Sequence, residues 1–180
     1  MREETKTIKI YTFDELNEEA KEKAINRERE ITLDYEWWEW ILEDLTEQCK
    51  ELGVYFKTDD LTFDLNRGAY LAIYSDKLSF EWEAEIDLPC KFGAYQNYMG
   101  GGINGRIQSE FIDDFRITNL GKGEKKASIA DRLNKCLTIF ERTLESLWRE
   151  YKEVQSDEYL IDNIKENELE YTKEGDVYYG

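Results

Sequence analysis

The stretch Leu78-Ser79-Phe80-Glu81-Trp82-Glu83-Ala84-Glu85-Ile86-Asp87-Leu88 alternates between apolar and polar side chains along its whole length. A period of two puts Leu78, Phe80, Trp82, Ala84 and Ile86 on one face of a strand, and Ser79, Glu81, Glu83, Glu85 and Asp87 on the other. The pattern predicts a strand over 78–88 with one packed face and one face toward solvent or a partner. The same period holds just upstream. Leu61, Phe63 and Leu65 alternate with Thr62, Asp64 and Asn66, the triplet Asn66-Arg67-Gly68 is turn chemistry, and 69–75 forms a second strand. The three strands read as an antiparallel meander.

Outside this block the period changes to that of a helix. Leu16, Ala20 and Ala24 sit four apart, and Asp14 reads as the N-cap or a first-turn acid of a helix over 14–30. A second helix is predicted over 34–52. Trp37, Trp38, Ile41, Leu45, Cys49 and Leu52 form its apolar stripe, and Gly53 ends it. The opposite face carries Glu36, Glu39, Glu43, Asp44, Glu47 and Glu51. Successive helical positions lie about 100° apart, so Trp37, Trp38 and Trp40 do not share one buried stripe, and one of them is a candidate exposed anchor. The longest helical pattern covers 125–155, and Ser156 caps a short helix after it. Short strands are expected at 7–13 and 106–117, with a bulge at Asp113-Asp114, and a hairpin at 169–179 turns at Glu174-Gly175. The glycines between 89 and 105 predict a long mobile loop near 93–105. The whole reads as a single α+β domain over 1–180, an antiparallel sheet with helices packed mainly on one face.

The charge balance narrows the function. Among 180 residues there are 41 acids, 24 bases and no histidine, giving a net charge of −17. Lacking imidazole, the chain has no Ser-His-Asp triad, Cys-His pair or His metal ligand. Its sign opposes direct nucleic-acid binding, because phosphates demand a basic face. Aromatics at 14% argue against disorder. Cys49, Cys90 and Cys136 are far apart and form no CxxC motif, so they read as incidental thiols of a reducing compartment. No signal peptide or membrane span is evident, which gives the expectation of a cytoplasmic protein without membrane association.

Several constellations resemble sites and have blander readings. Gly100-Gly101-Gly102-Ile103-Asn104-Gly105-Arg106 lacks the Gly-Lys-Ser/Thr ending of a phosphate loop and precedes a strand pattern rather than a helix. Asp59, Asp60 and Asp64 offer oxygen ligands without the spacing of a calcium loop. Neither they nor the Asp113-Asp114 pair identifies a metal site, a cofactor site or a catalytic pair, so no cofactor is expected and the chain reads as a non-enzyme. The row Glu81, Glu83, Glu85 and Asp87 is the most informative feature. Alternate strand residues lie roughly 6.8 Å apart, a regular line of negative charge that Asp64 on a neighbouring strand would widen. Such a row either is a solvated outer face or meets a basic partner.

The segment Tyr11-Thr12-Phe13-Asp14-Glu15-Leu16, followed by the Glu/Ala/Lys-rich run to Ala24, resembles the opening of a family of small acidic bacteriophage proteins. Leu61-Thr62-Phe63-Asp64-Leu65-Asn66-Arg67-Gly68 is similar to that family's strand and turn. Ser156-Asp157-Glu158 and the run 164–175 resemble its ending. Members are mostly uncharacterised and some are labelled antitoxin-like; no catalytic residues come with the resemblance. It implies a phage gene expressed in the host bacterial cytoplasm. The combined expectation is an inhibitor of a host defence protein, of anti-CRISPR or other anti-defence type, that occupies a basic nucleic-acid-binding surface. The partner-binding candidates are Glu81, Glu83, Glu85, Asp87, Asp64, Glu36, Glu39, Glu43 and Trp40. An antitoxin-like partner of a basic toxin and a carboxylate-dependent enzyme are the alternatives. The pattern sets no oligomeric state.

Overall fold

The computed structural model describes residues 8–66, 68–81, 90–96, 102–109 and 124–179. Its fold is α+β, with two antiparallel sheets among helices. The helices are α1 (Glu18–Asp34), α2 (Glu39–Glu51), α3 (Glu124–Val154) and α4 (Asp157–Glu166). The strands are β1 (Val54–Tyr55), β2 (Leu61–Asp64), β3 (Tyr70–Tyr74), β4 (Ser79–Phe80), β5 (Cys90–Gln96) and β6 (Ile103–Ser109). The chain divides into two compact units, one of residues 1–37 with 150–180 and one of residues 38–149.

In the first unit, Asn17 caps α1 by accepting the Ala20 N–H at 2.9 Å. This corrects the expected start at Asp14, which lies instead in a 3₁₀ turn, Phe13–Glu15. The Glu15 carboxylate accepts the Thr12 N–H at 2.8 Å, which closes that turn and delays the helix. Helix α4 begins as its sequence predicts, with Ser156 Oγ accepting the Tyr159 N–H at 3.2 Å. Phe13, Leu16, Ala20 and Ala24 pack with Ile164 and Tyr171 into one apolar cluster. Tyr11 is not part of a longer strand, as expected for 7–13, but makes a single antiparallel bridge to Tyr171, with both N–H···O distances 2.9 Å. Tyr171 also bridges Val177 across the expected C-terminal turn, where Gly175 takes a φ of +82°. A Cβ there would lie 2.5 Å from the Ala20 carbonyl oxygen, so glycine is required twice over.

The second unit holds the sheet β2-β3-β5-β6. The β2–β3 hairpin matches the sequence pattern, with Leu61 opposite Ile73 and Asp64 opposite Tyr70. Gly68 in its turn has a φ of +85°. The third strand of the meander is different. After Tyr74 a 3₁₀ turn, Ser75–Lys77, carries the chain away from β3, and β4 pairs with β1 in a separate two-stranded sheet. The vacated edge of β3 is taken by β5, inside the stretch expected to be a loop. Gly93 lets β5 approach, because a Cβ there would sit 2.1 Å from the Leu71 carbonyl oxygen and 2.6 Å from the Ala72 Cα. Strand β6 follows Gly102 directly and pairs with β5 from Ile103↔Gln96 to Ser109↔Cys90. Residues 97–101 of the expected mobile loop, and the Asp113-Asp114 bulge, lie outside the described residues.

Leu71, Ile73 and Phe92 are buried on one sheet face. Phe140 of α3 meets Phe92 edge-on at 5.4 Å between ring centroids and Phe56 at 5.9 Å. Helix α3 spans nearly the expected 125–155, and Leu133, Cys136, Phe140, Leu144 and Leu147 form its buried stripe.

Candidate functional site

Of the expected carboxylate row, only Glu81 lies among the described residues. Strand pairing stops at Phe80, and Glu81 sits at a bend, its N–H donating to the Gly53 carbonyl at 2.9 Å. The Glu81 carboxylate is exposed and lies 3.4 Å from the Arg132 guanidinium. Glu83, Glu85 and Asp87 lie outside the described residues. Asp64 does not widen a row with Glu81, because β2 and β4 belong to different sheets. Its carboxylate turns back to accept the Asn66 N–H at 2.7 Å and shapes the hairpin. Asp59 and Asp60 lie in a 3₁₀ turn, Thr58–Asp60. Among the described residues there is no group of three or more Cys, Asp or Glu side chains arranged to hold a metal ion.

The second acidic candidate, the helix expected over 34–52, divides. Helix α1 runs on to Asp34, Tyr35 is extended with a ψ of 143°, and α2 starts only at Glu39. The aromatic residues explain the break. Trp37 packs its ring against Tyr151 within the first unit, at 5.9 Å. Trp38 packs edge-on against Phe63 within the second, at 5.7 Å. Glu36 is exposed in the turn between the helices, in the first unit, and is not a residue of α2.

What remains is a coherent face on α2 itself. Ile41, Leu42, Leu45 and Cys49 are buried on its inner side. Glu39, Trp40, Glu43, Asp44 and Glu47 are exposed on its outer side. Trp40 keeps 58% of its surface exposed, the largest exposed aromatic area on the second unit's described residues. Its indole is flanked in sequence by Glu39 and, one helical turn on, by Glu43 and Asp44. Glu47 is paired with Lys50 at 3.0 Å, and Asp44 accepts from Gln48 at 2.6 Å. Glu39 and Glu43, four apart, have no ion-pair partner among the described residues, and such like-charge neighbours cost a helix about 0.2–0.5 kcal/mol. A cationic partner would relieve that repulsion, while the exposed indole offers it a flat apolar contact.

Two features were not foreseen. Lys91 of β5 lies 4.9 Å from the Tyr74 ring centroid and 5.9 Å from that of Tyr70, and Tyr70 stacks on Tyr95 at 6.3 Å. The register aligns these residues on one sheet face, a signal hidden because β5 did not read as a strand. In the first unit a groove of about 780 Å³ is lined by Phe13, Ile25 and Ile161 and by Lys21, Arg29 and Lys165. Each of those cations is already matched, to Glu18, Asp157 and Asp14 respectively, which leaves the groove without an open charge for an anionic substrate. Beside it, buried Glu28 accepts from Asn163 at 2.6 Å, a bond that ties α1 to α4. The neighbouring Tyr171 phenol is pushed up to about 12, by burial first and then by the Glu28 charge, partly offset by Arg27. A phenol held neutral to that pH serves packing rather than proton transfer near neutrality.

No family model, curated protein or solved structure matches the chain. No helix among the described residues is long and apolar enough to cross a membrane.

Proposed function

We propose that this is a phage-encoded acidic binding protein of the host bacterial cytoplasm. It inhibits a host defence protein, of the anti-CRISPR or another anti-defence type, by occupying a basic nucleic-acid-binding surface. The observation that carries the reading is the outer face of α2, where exposed Trp40 stands among Glu39, Glu43 and Asp44 in a chain of net charge −17. Glu39 and Glu43, which have no ion-pair partner among the described residues, favour a cationic surface and speed encounter with it, and an exposed indole supplies a contact that charge alone does not. The protein acts by occupancy and needs no cofactor.

Two experiments test this. Expression of the chain in bacteria that carry a nuclease-based defence system should raise phage plating efficiency. The full chain should recover the defence protein from lysate, and Glu39→Gln with Glu43→Gln and Trp40→Ala should weaken both effects. Recovery of a small basic toxin instead would replace this reading with the antitoxin-like one. Turnover of a substrate by the purified chain would replace it with an enzyme.

A further inference from the structure

The groove of the first unit offers an anionic substrate no open charge, and its chemistry suits the opposite sign. Its floor is Phe13 with Ile25 of α1 and Ile161 of α4, two half-buried isoleucines packed on the apolar cluster that contains Tyr171. Helical spacing explains why these residues meet. Lys21, Ile25 and Arg29 follow one another at four-residue steps along α1, and Asp157, Ile161 and Lys165 do the same along α4. Each row carries its charges at the ends and its isoleucine in the middle. The ion pairs Arg29–Asp157 and Lys165–Asp14 therefore involve positions roughly 12 Å apart along α4, with Ile161 between them.

The charge left over is negative. Asp157, Asp14 and Glu18 are matched to Arg29, Lys165 and Lys21. Glu19 and Glu22, exposed on the α1 rim of the groove, have no ion-pair partner among the described residues. We propose that this groove docks a basic amphipathic helix of a partner protein, whose apolar side chains enter against Ile25 and Ile161 and whose Lys or Arg side chains reach Glu19 and Glu22. Size and chemistry agree on that occupant. A groove of about 780 Å³ takes apolar side chains from successive turns of a helix, which lie about 5–6 Å apart. The two isoleucines then lose their remaining contact with water. The groove's own cations are neutralised within the unit, so an incoming basic helix meets the two open carboxylates. An anionic lipid surface would be repelled by the same pair. Docking here is independent of the α2 face, which belongs to the second unit.

The test titrates the full chain into a fluorescently labelled Leu/Lys peptide of about four helical turns, its leucines at three- and four-residue spacing, and follows anisotropy at physiological salt. A peptide of the same composition with its leucines dispersed around the helix, and a Leu/Glu peptide of the original pattern, are the controls. The patterned Leu/Lys peptide should bind saturably and about tenfold or more tighter than the dispersed one, because only it presents an apolar stripe. The Leu/Glu peptide should not bind. Glu19→Gln with Glu22→Gln changes two exposed side chains, so it should keep the melt and weaken binding by about threefold or more. Ile161→Ala should weaken it as well, whereas Glu39→Gln with Glu43→Gln on α2 should leave it unchanged. Amide exchange with the peptide bound should show added protection in α1 and α4. Equal binding of the patterned and dispersed peptides would reduce the contact to net charge and overturn the proposal. So would a folded Glu19→Gln, Glu22→Gln variant that binds like the parent, or a loss of binding confined to the α2 variant. Saturable binding of dodecyltrimethylammonium with no binding of the peptide would assign the groove to a small amphipathic cation instead.

Discussion

Gly93→Ala is the sharpest perturbation of the sheet. Gly93 lies on β5, the strand that joins β3 to β6, directly opposite Ala72. An alanine Cβ there would fall 2.1 Å from the Leu71 carbonyl oxygen, 2.6 Å from the Ala72 Cα and 2.9 Å from its Cβ. The first two are backbone atoms in a buried strand, so no side-chain rotation relieves the overlap, and the strands must separate by about an ångström. Overpacking of this kind costs roughly 1–3 kcal/mol. Weakening the two ladder hydrogen bonds beside it adds about 1 kcal/mol each. A total of about 3–5 kcal/mol corresponds to a drop in melting temperature of roughly 6–20 °C at this chain length. Gly102→Ala is the control, because its added Cβ meets nothing within 4 Å. Thermal melts followed by near-ultraviolet circular dichroism, which reports the packed aromatic residues, measure both. A Gly93→Ala protein that melts within 2 °C of the parent would refute the β3–β5 pairing and the reason given for it.

Other consequences are smaller. Ser156→Ala removes the cap of α4 and should cost about 1 kcal/mol, visible as faster amide exchange in the first turn of that helix. The Tyr171 phenol has a folded value raised above its ordinary value of 10.0, so its stabilisation is complete below about pH 10 and is lost as pH rises toward about 12. Unfolding titrations should show that alkaline loss in the parent and a shallower one in Tyr171→Phe. Trp40→Ala should change stability by less than about 0.5 kcal/mol, because the ring is exposed, whereas Trp38→Ala should cost several times more through its contact with Phe63.

What was legible in the sequence was periodicity confirmed by a local stop signal. Helix α4 was readable because its Ser156 cap acts within one turn. The β2–β3 hairpin was readable because Asn66 and Gly68 determine a turn locally. Strand partnership was not readable, because it depends on which edge a later segment reaches first. The alternation from Leu78 onward suits a strand, yet the turn at Ser75–Lys77 sends β4 to β1 and leaves β3 to β5. Strand β5 itself was hidden by Gly93, which reads as loop chemistry and serves as close packing. The same limit applies to the site. Helical angle offered one of Trp37, Trp38 and Trp40 as an exposed anchor; Trp40 is the exposed one, but α2 begins only at Glu39, so the three do not share one helix as that angle assumed. The pairing of Glu81 with Arg132, 51 positions away, is a tertiary fact that no local pattern carries.

The central claim is that the outer face of α2 recognises a basic surface. The most direct test is the association rate of the recovered partner with the parent chain and with the Glu39→Gln, Glu43→Gln, Trp40→Ala triple variant. The rates should be measured by stopped flow from low to physiological salt, where screening shortens to roughly 8–10 Å. The account predicts a parent rate that falls steeply with salt. For the triple variant it predicts an unchanged melt, a flatter salt dependence and weaker binding. A folded triple variant that binds as fast and as tightly as the parent at every salt concentration would contradict it.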